Sequence, residues 1–481
     1  MNGSPSNFPP VIENTAIIEG LEIAFLADVS HLIKSIRNCL FTHKTLKIDE
    51  KFVQKYMLES DEISMSVLEQ VIELKEGKEL NIAPRVTSKK CLVKGSASFG
   101  KMSVDPAASL LSQEMAAAIE YCVFYQDFDR SSLSTALFCQ LVGKWYDICT
   151  SRQRFLSFDS ERPEKTKELK LFILEFMEFF ATLKIPKPSS ESKRQQFSLK
   201  PVQKGVCLST KSIIWLEEEL LSNGVTFFMA GRVTGDSVEN YHSQMRQYNP
   251  NPTCNEFKRF SKALGITLFL CKKVKGSSYE HDETDEWLVE ISNIKQMQVD
   301  MISEEMQDVI FLKAQDFQPG DFDEAVSLAS LAGYILQKTI ASKSKCKTCM
   351  KAFCSTENDE VQGLNALIDY RDNSDRYSLI RPTELANKIF HWAESIFRSS
   401  REDLKAEEML TEKFTALIIS YISKEFEFPK CHIEIIIRRF SKCRTYFWAD
   451  YRDVQKRARS KKDIDEAAHA SRTVQQMHSI D

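Results

Sequence analysis

The stretch DSVENYHSQMRQYNPNPTCNEFKRFSKAL, residues 236–264, decides how this sequence is interpreted. Apolar and aromatic residues recur at helical spacing after Asp236, the breaker NPNP interrupts the pattern, and a second helix is predicted from Thr253. Asp236 with Glu239, and Thr253 with Glu256, fit the capping box, in which one side chain bonds a free backbone N–H and the other reaches back. Capping alone therefore accounts for both glutamates.

The same stretch also carries an ordered motif. Its pieces are Asp236, Glu239, Asn240, Tyr241, Asn251, Pro252, Thr253 and Phe257. This order resembles P-element-like, THAP-domain DNA transposases, in which Asp-x-x-Glu-Asn-aromatic is followed by Asn-Pro-Thr and an aromatic-rich helix. The resemblance implies that Glu239 is the last of three catalytic carboxylates, which hold two Mg²⁺ ions during DNA cleavage and strand transfer.

Five blocks follow the order of that family along the chain. They are FLADVSHLIKSIRNCL from residue 25, MSVDPAASLLSQEMAAAIEYC from 102, LVGKWYDICTSRQ from 141, a block that begins KGVCLST at 204 and continues to Asn240 of the motif, and LAGYILQK from 331. By this resemblance Asp28 falls on the second catalytic aspartate. Asp147 and Asp236 fall on residues that approach GTP, the family's cofactor.

The resemblance implies a mostly α fold with a few strands (α+β). A partial ribonuclease-H-like domain would be split by a helical insertion domain and followed by a helical C-terminal domain. The predicted divisions are a disordered lead-in at 1–20, a ribonuclease-H-like region at 21–80, a GTP-binding-type insertion at 81–200, the return to the first domain at 201–270, a helical connection at 271–345, and a C-terminal region with a basic stripe at 346–481.

Local signals place three of these elements. LEIAFLAD predicts a buried strand that ends at Asp28, and His31 is expected to pack near that end rather than act as a base. Ser209 is predicted to cap a helix that ends at Asn223-Gly224, with VTFFM as a short strand beyond it.

Nucleotide binding here would not use a P-loop, because the chain has no Gly-x-x-x-x-Gly-Lys-Ser/Thr sequence. Carboxylates such as Asp147 and Asp236 can accept hydrogen bonds from guanine N1–H and N2–H₂. Thr150 stands where the family favours Asn, and Asp105 where it often has a basic residue, and both departures weaken the site. The alternative is that these acids are exposed side chains on helices.

The residues before Asp28 offer the acids Glu13, Glu19 and Glu22, none in the strand context of the family's first catalytic aspartate. They hold no THAP zinc module either. We therefore expect a truncated or domesticated, catalytically incomplete transposase copy. The alternatives are an incomplete gene model of an active transposase, and a helical interaction scaffold without a nucleic-acid role.

Cysteines near the C-terminus suggest a second metal. Cys346 and Cys349 form a Cys-x-x-Cys pair, and Cys431-His432 follow about eighty residues later. Such pairs can supply the four soft or borderline ligands of a structural Zn²⁺. Ordinary reduced cysteines are the alternative.

A basic segment with interleaved aromatics, residues 438–462, suits contact with DNA phosphates. The candidate contacts are Arg438, Arg439, Arg452, Lys456, Arg457 and Arg459. A solvated helix face is the alternative. The net charge of -4 gives no independent sign of nucleic acid. No apolar run reaches membrane-spanning length, so we expect an intracellular protein. The resemblance implies a nuclear protein that binds DNA, and a homo-oligomer is an open alternative to a monomer.

Overall fold

The computed structural model divides into two compact units, each with its own core. The residues it describes are 13–75, 78–84, 86, 104–186, 199–249, 251–270, 302–315, 321–355, 363–371, 379–405, 409–449 and 451–452. The first unit draws on residues 1–74, 85–291 and 370–377, and the second on 75–84, 292–369 and 378–481. Both are mainly helical with short strands, so the predicted fold class is confirmed.

The first unit consists of helices interrupted by three antiparallel strand pairs. The strands are β1 Thr15–Ile18, β2 Leu21–Ala24, β3 Thr45–Lys47, β4 Glu62–Ser64, β5 Phe158–Asp159 and β6 Phe227–Phe228, paired as β1–β2, β3–β4 and β5–β6. The helices are α1 Val29–His43, α2 Glu50–Lys55, α3 Met65–Lys75, α4 Asp105–Leu110, α5 Gln113–Tyr125, α6 Leu133–Thr150, α7 Pro163–Thr182, α8 Pro201–Ser222, α9 Asp236–Tyr248 and α10 Cys254–Leu270.

The hairpin β1–β2 corrects two expectations. Glu19 and Gly20 form its two-residue turn with φ of 51° and 81°, the positive values that a tight hairpin turn requires. Strand structure therefore begins at Thr15, inside the predicted disordered lead-in. The second strand ends at Ala24 rather than at Asp28, and it is exposed rather than buried, with Leu21 68% exposed.

The core of the first unit forms where α6 meets α7 and α8. The buried Trp145 ring stacks on Phe176 with centroids 5.1 Å apart, and its Nε1–H donates to Thr210 Oγ1 at 3.1 Å. Gly143 lets α6 approach α5 closely, since a Cβ there would lie 2.9 Å from the Ser112 Cα. These contacts pack α5, α6, α7 and α8 against one another.

Helix α8 begins earlier than predicted. Pro201 occupies its first turn, and the Lys200 N–H donates to the Gln203 side chain at 3.0 Å. Ser209 is therefore a buried residue within the helix and not its cap. The expected end is present, with Gly224 at φ 87° just beyond the helix.

The second unit is built on seven helices within the described residues. They are α11 Glu304–Gln315, α12 Phe322–Leu336 with a π-helical continuation Gln337–Ser344, α13 Lys347–Phe353, α14 Ala366–Asp369, α15 Glu384–Leu404, α16 Leu410–Glu425 and α17 over residues 433–449. The unit also contains one antiparallel strand pair, β7 Cys354–Ser355 with β8 Arg381–Pro382. Helix α12 lies in this unit rather than in a separate connection ending at 345.

An ion network crosses the core of the second unit. Arg444 of α17, fully buried, donates to both carboxylate oxygens of Glu394 on α15, at 2.6 and 2.8 Å. Arg398 donates to the same carboxylate at 2.7 Å, and Glu79 accepts from Arg444 at 3.2 Å and from Arg401. Burial alone would raise the pKa of Glu394, but Arg444 and Arg398 outweigh it and lower that pKa.

We predict that Glu394→Gln lowers the free energy of unfolding by about 3–5 kcal/mol, because it leaves buried arginine charge without its partner. The matched control is Glu384→Gln on the same helix, whose side chain is 81% exposed beside Lys388. That change should cost less than about 1 kcal/mol. Urea unfolding measures both, and equal effects would show that the network contributes no more than a surface pair.

Candidate functional sites

Asp28 occupies a position that distant parts of the chain build. It is the N-cap residue of α1, and its Oδ2 lies 2.5 Å from His31 Nδ1, which fits the expectation that His31 packs against it. The preceding segment is fixed to α8, because the Ser209 hydroxyl donates to the Ala27 carbonyl and the Ser212 hydroxyl to the Phe25 carbonyl, each at 2.6 Å.

Glu239 lies close to this position. The Gly235 N–H donates to Asp28 Oδ1 at 3.3 Å across 207 residues of sequence, and Gly235 is the N-cap of α9. Glu239 follows one turn later, half-buried, with its own N–H bonded to the Gly235 carbonyl at 3.0 Å. Four residues of helix span about 6 Å, so the two acids lie in one neighbourhood. That they hold a metal stays a prediction.

The two capping boxes have different outcomes. Thr253 and Glu256 form one, since Glu256 Oε2 accepts from the Thr253 N–H at 2.9 Å and the Glu256 N–H donates to Thr253 Oγ1 at 3.4 Å. Asp236, in contrast, is the first residue of α9 and follows the N-cap Gly235, so it is not the cap. The side chain of Asp236 lies outside the described residues.

Asp147, the other candidate GTP contact, is half-buried in the last turn of α6. That helix end packs against the segment leading to α9. The Gly231 N–H donates to the Ser151 carbonyl at 3.0 Å, and Arg152 Nε donates to the Gly231 carbonyl at 3.2 Å. The structure therefore brings together the two segments that carry Asp147 and Asp236.

A charged turn stabilises the chain beyond α6. Arg154 Nε donates to the buried Asp159 carboxylate at 2.9 Å, and Arg162 Nε donates to it at 3.0 Å. The Arg154 hydrogen bond is the main cause that lowers the pKa of Asp159 to about 2. The carboxylate is thus ionised at neutral pH and anchors the turn that precedes α7.

The four predicted zinc ligands converge in the second unit. One ligand atom from each of Cys346, Cys349, Cys431 and His432 lies within 4.8 Å of all the others. The Cys349 Sγ lies 3.2 Å from Cys431 Sγ and 3.5 Å from His432 Nδ1. A hydrogen bond from the Cys349 N–H lowers the pKa of Cys346, whereas burial raises the pKa of Cys349.

The basic segment is only partly a surface feature. Arg438 is exposed and Arg439 half-buried on α17, but Arg444 is enclosed in the ion network. Trp448 is buried too, and the Arg452 guanidinium lies 5.0 Å from its ring centroid. Arg444 and Trp448 therefore contribute to the packing of α17 rather than to an exposed basic face. That Arg438, Arg439 and Arg452 contact DNA stays a prediction. Lys456, Arg457 and Arg459 lie outside the described residues.

Two family models match the chain. The "TNP-like, GTP-binding insertion domain" covers residues 30–161, and the "DNA transposase THAP9, C-terminal domain" covers residues 318–435. The chain is also 25% identical over 275 residues to the transposable element P transposase of Drosophila melanogaster, an alignment of 56% of this chain and 34% of that protein. Over these regions the chain is similar to the P-element-like transposases, so the predicted resemblance is confirmed. The chain spans about a third of the length of this curated relative.

A solved structure, the Drosophila P element transposase strand transfer complex, is 22% identical with a TM-score of 0.40, covering 50% of each chain. The family models start earlier than the predicted domains, at residue 30 rather than 81 and at residue 318 rather than 346. Within the described residues, no helix is long and apolar enough to cross a membrane.

The glycines of MAGRVTGD were missed as site-forming residues. Gly231 meets the end of α6, and Gly235 meets the Asp28 carboxylate, with its Cβ position 3.4 Å from Asp28 Cγ. Two glycines just before a predicted helix are a signal for close backbone approach, and that signal was available in the sequence.

We predict that Gly231→Ala destabilises the P-element-like chain by about 1–3 kcal/mol, because the added Cβ would overlap the Thr150 carbonyl group. The control is Gly265→Ala within α10, where nothing lies within 4 Å. A helical Gly→Ala change there should instead stabilise by about 0.5–1 kcal/mol. Urea unfolding compares the two, and a neutral Gly231→Ala would contradict the close packing.

Proposed function

We propose that this chain acts as a transposase-derived, nuclear DNA-binding protein that binds GTP and contributes two metal-binding carboxylates. The observation that carries the proposal is the 3.3 Å hydrogen bond from the Gly235 N–H to Asp28 Oδ1. It returns the chain, after the region that matches the GTP-binding insertion domain, to the start of the helix that bears Glu239. The metal-dependent DNA cleavage and strand transfer of the family are the activity to which these groups would contribute.

The carboxylates suit Mg²⁺, a hard cation that takes oxygen ligands. His31 engages Oδ2 of Asp28, while Oδ1 has the longer bond to Gly235 and can turn to a cation. Glu239 is half-exposed one turn along α9. Asp28 and Glu239 would be two ligands of the ions, and bound Mg²⁺ would activate the attacking oxygen and stabilise the leaving oxygen. Among the described residues, no third acid joins this pair in a convergent ligand group.

The residues around Asp147 suit a guanine nucleotide. Asp147 offers a carboxylate to the N1–H and N2–H₂ groups of guanine, and Arg152 and Arg232 place positive charge on the same two segments. Arg152 is oriented by its bond to the Gly231 carbonyl. Arginine side chains are suited to phosphate recognition, so base and phosphates would each meet a complementary group.

A helical interaction scaffold is the second candidate. Burial of Arg444 and Trp448 removes part of the basic segment from DNA contact. The exposed hairpin, with Ile17 at 78% and Leu21 at 68% exposure, offers apolar surface to another protein. Salt-dependent DNA binding distinguishes this candidate from the first.

We predict that Asp147→Asn weakens GTP binding about tenfold to a hundredfold, since it removes a charge-assisted hydrogen bond worth about 1.5–3 kcal/mol. Isothermal titration with GTP and with ATP on the full chain measures the effect. The change should reduce discrimination between the two bases, because the carboxylate contacts guanine rather than phosphate.

The control is Asp308→Asn, because Asp308 is an exposed aspartate on α11 in the second unit. This variant should bind GTP with the affinity of the unaltered chain. Unaltered GTP affinity in Asp147→Asn would remove Asp147 from the nucleotide site. No measurable GTP binding by the unaltered chain would remove the cofactor itself.

We predict that replacing Arg452, Lys456, Arg457 and Arg459 with Gln weakens binding to all DNA sequences alike. The slope of log K against log salt should fall in magnitude by up to about 3–4, at roughly 0.9 for each lost phosphate contact. Fluorescence anisotropy of a labelled duplex across a salt series measures the slope.

The matched control removes four exposed lysines elsewhere in the second unit. They are Lys351, Lys388, Lys405 and Lys424. If both variants keep the original slope, the segment is a solvated surface and the scaffold is favoured. If the slope falls equally in both variants, the total positive charge of the chain governs DNA binding and this segment has no special role.

A further inference from the structure

We propose that Cys346, Cys349, Cys431 and His432 hold one structural Zn²⁺ in the second unit. Zinc bonds of about 2.3 Å to sulfur and 2.0–2.1 Å to nitrogen, arranged as a tetrahedron, separate neighbouring ligand atoms by about 3.5–3.8 Å. The observed separations are 3.9 Å for Cys346 Sγ to Cys431 Sγ, 3.5 Å for Cys349 Sγ to His432 Nδ1 and 3.2 Å for Cys349 Sγ to Cys431 Sγ. All four ligand atoms lie within 4.8 Å of one another, so they form a cluster of about the size that a zinc tetrahedron requires.

The backbone at both ligand pairs is firmly placed. Cys346 is the N-cap residue of α13, and Cys349 lies in the first turn of that helix. Lys345, in the left-handed conformation at φ 48°, turns the chain into the start of α13. Cys431 and His432 directly precede α17. Each ligand pair is therefore held at the start of a helix, and the two pairs meet within 4.8 Å.

The ligand set points to zinc and to a structural role. Three thiolates and one imidazole satisfy all four positions, and a closed set with no open position is the mark of structural rather than catalytic zinc. The thiols lose their protons on binding, so the occupied site has a net charge of about −1. Exposed Lys345, Lys347 and Lys430 stand next to the ligands in the chain and offset that charge.

A disulfide between Cys349 and Cys431 would account for only two of the four converging side chains. It would require the sulfurs to approach from 3.2 Å to about 2.05 Å. It would also leave Cys346 and His432 directed at the same point with no function. The approach of the imidazole to the sulfurs is what a metal accounts for and a disulfide does not.

Zinc at this point would fix where α17 begins. That helix carries Arg444 into the core, where Glu394 and Glu79 neutralise it. Its cross-link to the start of α13 holds the helix at the register that this buried pairing requires. The site is therefore expected to stabilise the second unit and not to take part in DNA chemistry.

The test is the zinc content of the full chain, purified under reducing conditions and dialysed against zinc-free buffer, by plasma mass spectrometry. We expect roughly one zinc per chain, with loss of most of it in Cys349→Ser and in His432→Ala. Cys354→Ser is the matched control, because Cys354 lies in the same unit on β7, outside the cluster, and should keep the zinc. Removal of zinc by a chelator should lower the melting temperature of the unaltered chain and of Cys354→Ser alike.

Substitution of Co²⁺ into the unaltered chain keeps the test independent of variants that fail to fold. Intense visible bands with sulfur-to-cobalt charge transfer are expected for a tetrahedral thiolate site, and His432→Cys should retain the metal with a shifted spectrum. A weak octahedral cobalt spectrum would overturn the proposal. So would a metal-free chain that takes up no zinc on reconstitution, or a mass lower by two hydrogens that shows a disulfide.

Discussion

Two serine hydroxyls on α8 hold the segment before Asp28, and the candidate catalytic neighbourhood depends on them. Ser209 and Ser212 donate to the carbonyls of Ala27 and Phe25, groups 182 and 187 residues distant in sequence. Both serines are fully buried on α8, so these bonds specify where the segment lies. Gly205 on the same face approaches Leu32 and brings α1 against α8. Asp28 then meets the Gly235 N–H as a consequence of this packing.

In the second unit, the corresponding constraint is the buried charge of Arg444. A guanidinium removed from water requires acidic partners, and Glu394 and Glu79 supply them. Glu79 comes from the segment 75–84, which is far from the rest of this unit in sequence but belongs to it in space. The family model for the C-terminal domain starts at residue 318 and so omits Glu79. The stability of this unit thus draws on a piece of chain that a domain boundary in sequence would exclude.

The basic segment illustrates how one helix can serve two purposes. Its inward face carries Arg444 and Trp448 into the core, while Arg438 and Lys442 stay exposed, four residues apart on one side. Residues at this spacing share a helix face, so the exposed pair can meet phosphates without disturbing the core. Whether DNA is the partner of this face is part of the proposal made above.

The family, the helical class and the Cys-x-x-Cys pair with its distant Cys-His pair were determined by sequence, because motif order, periodicity and residue type are local properties. The Thr253–Glu256 box and the Gly224 helix end are local for the same reason. Tertiary structure decided that Ser209 is an internal donor rather than a cap and that Arg444 is buried. It also decided that the Cys346–Cys349 and Cys431–His432 pairs lie within 4.8 Å of each other. Each of these outcomes depends on which distant segment packs alongside, and that choice is set by the burial of whole helices rather than by neighbours in sequence.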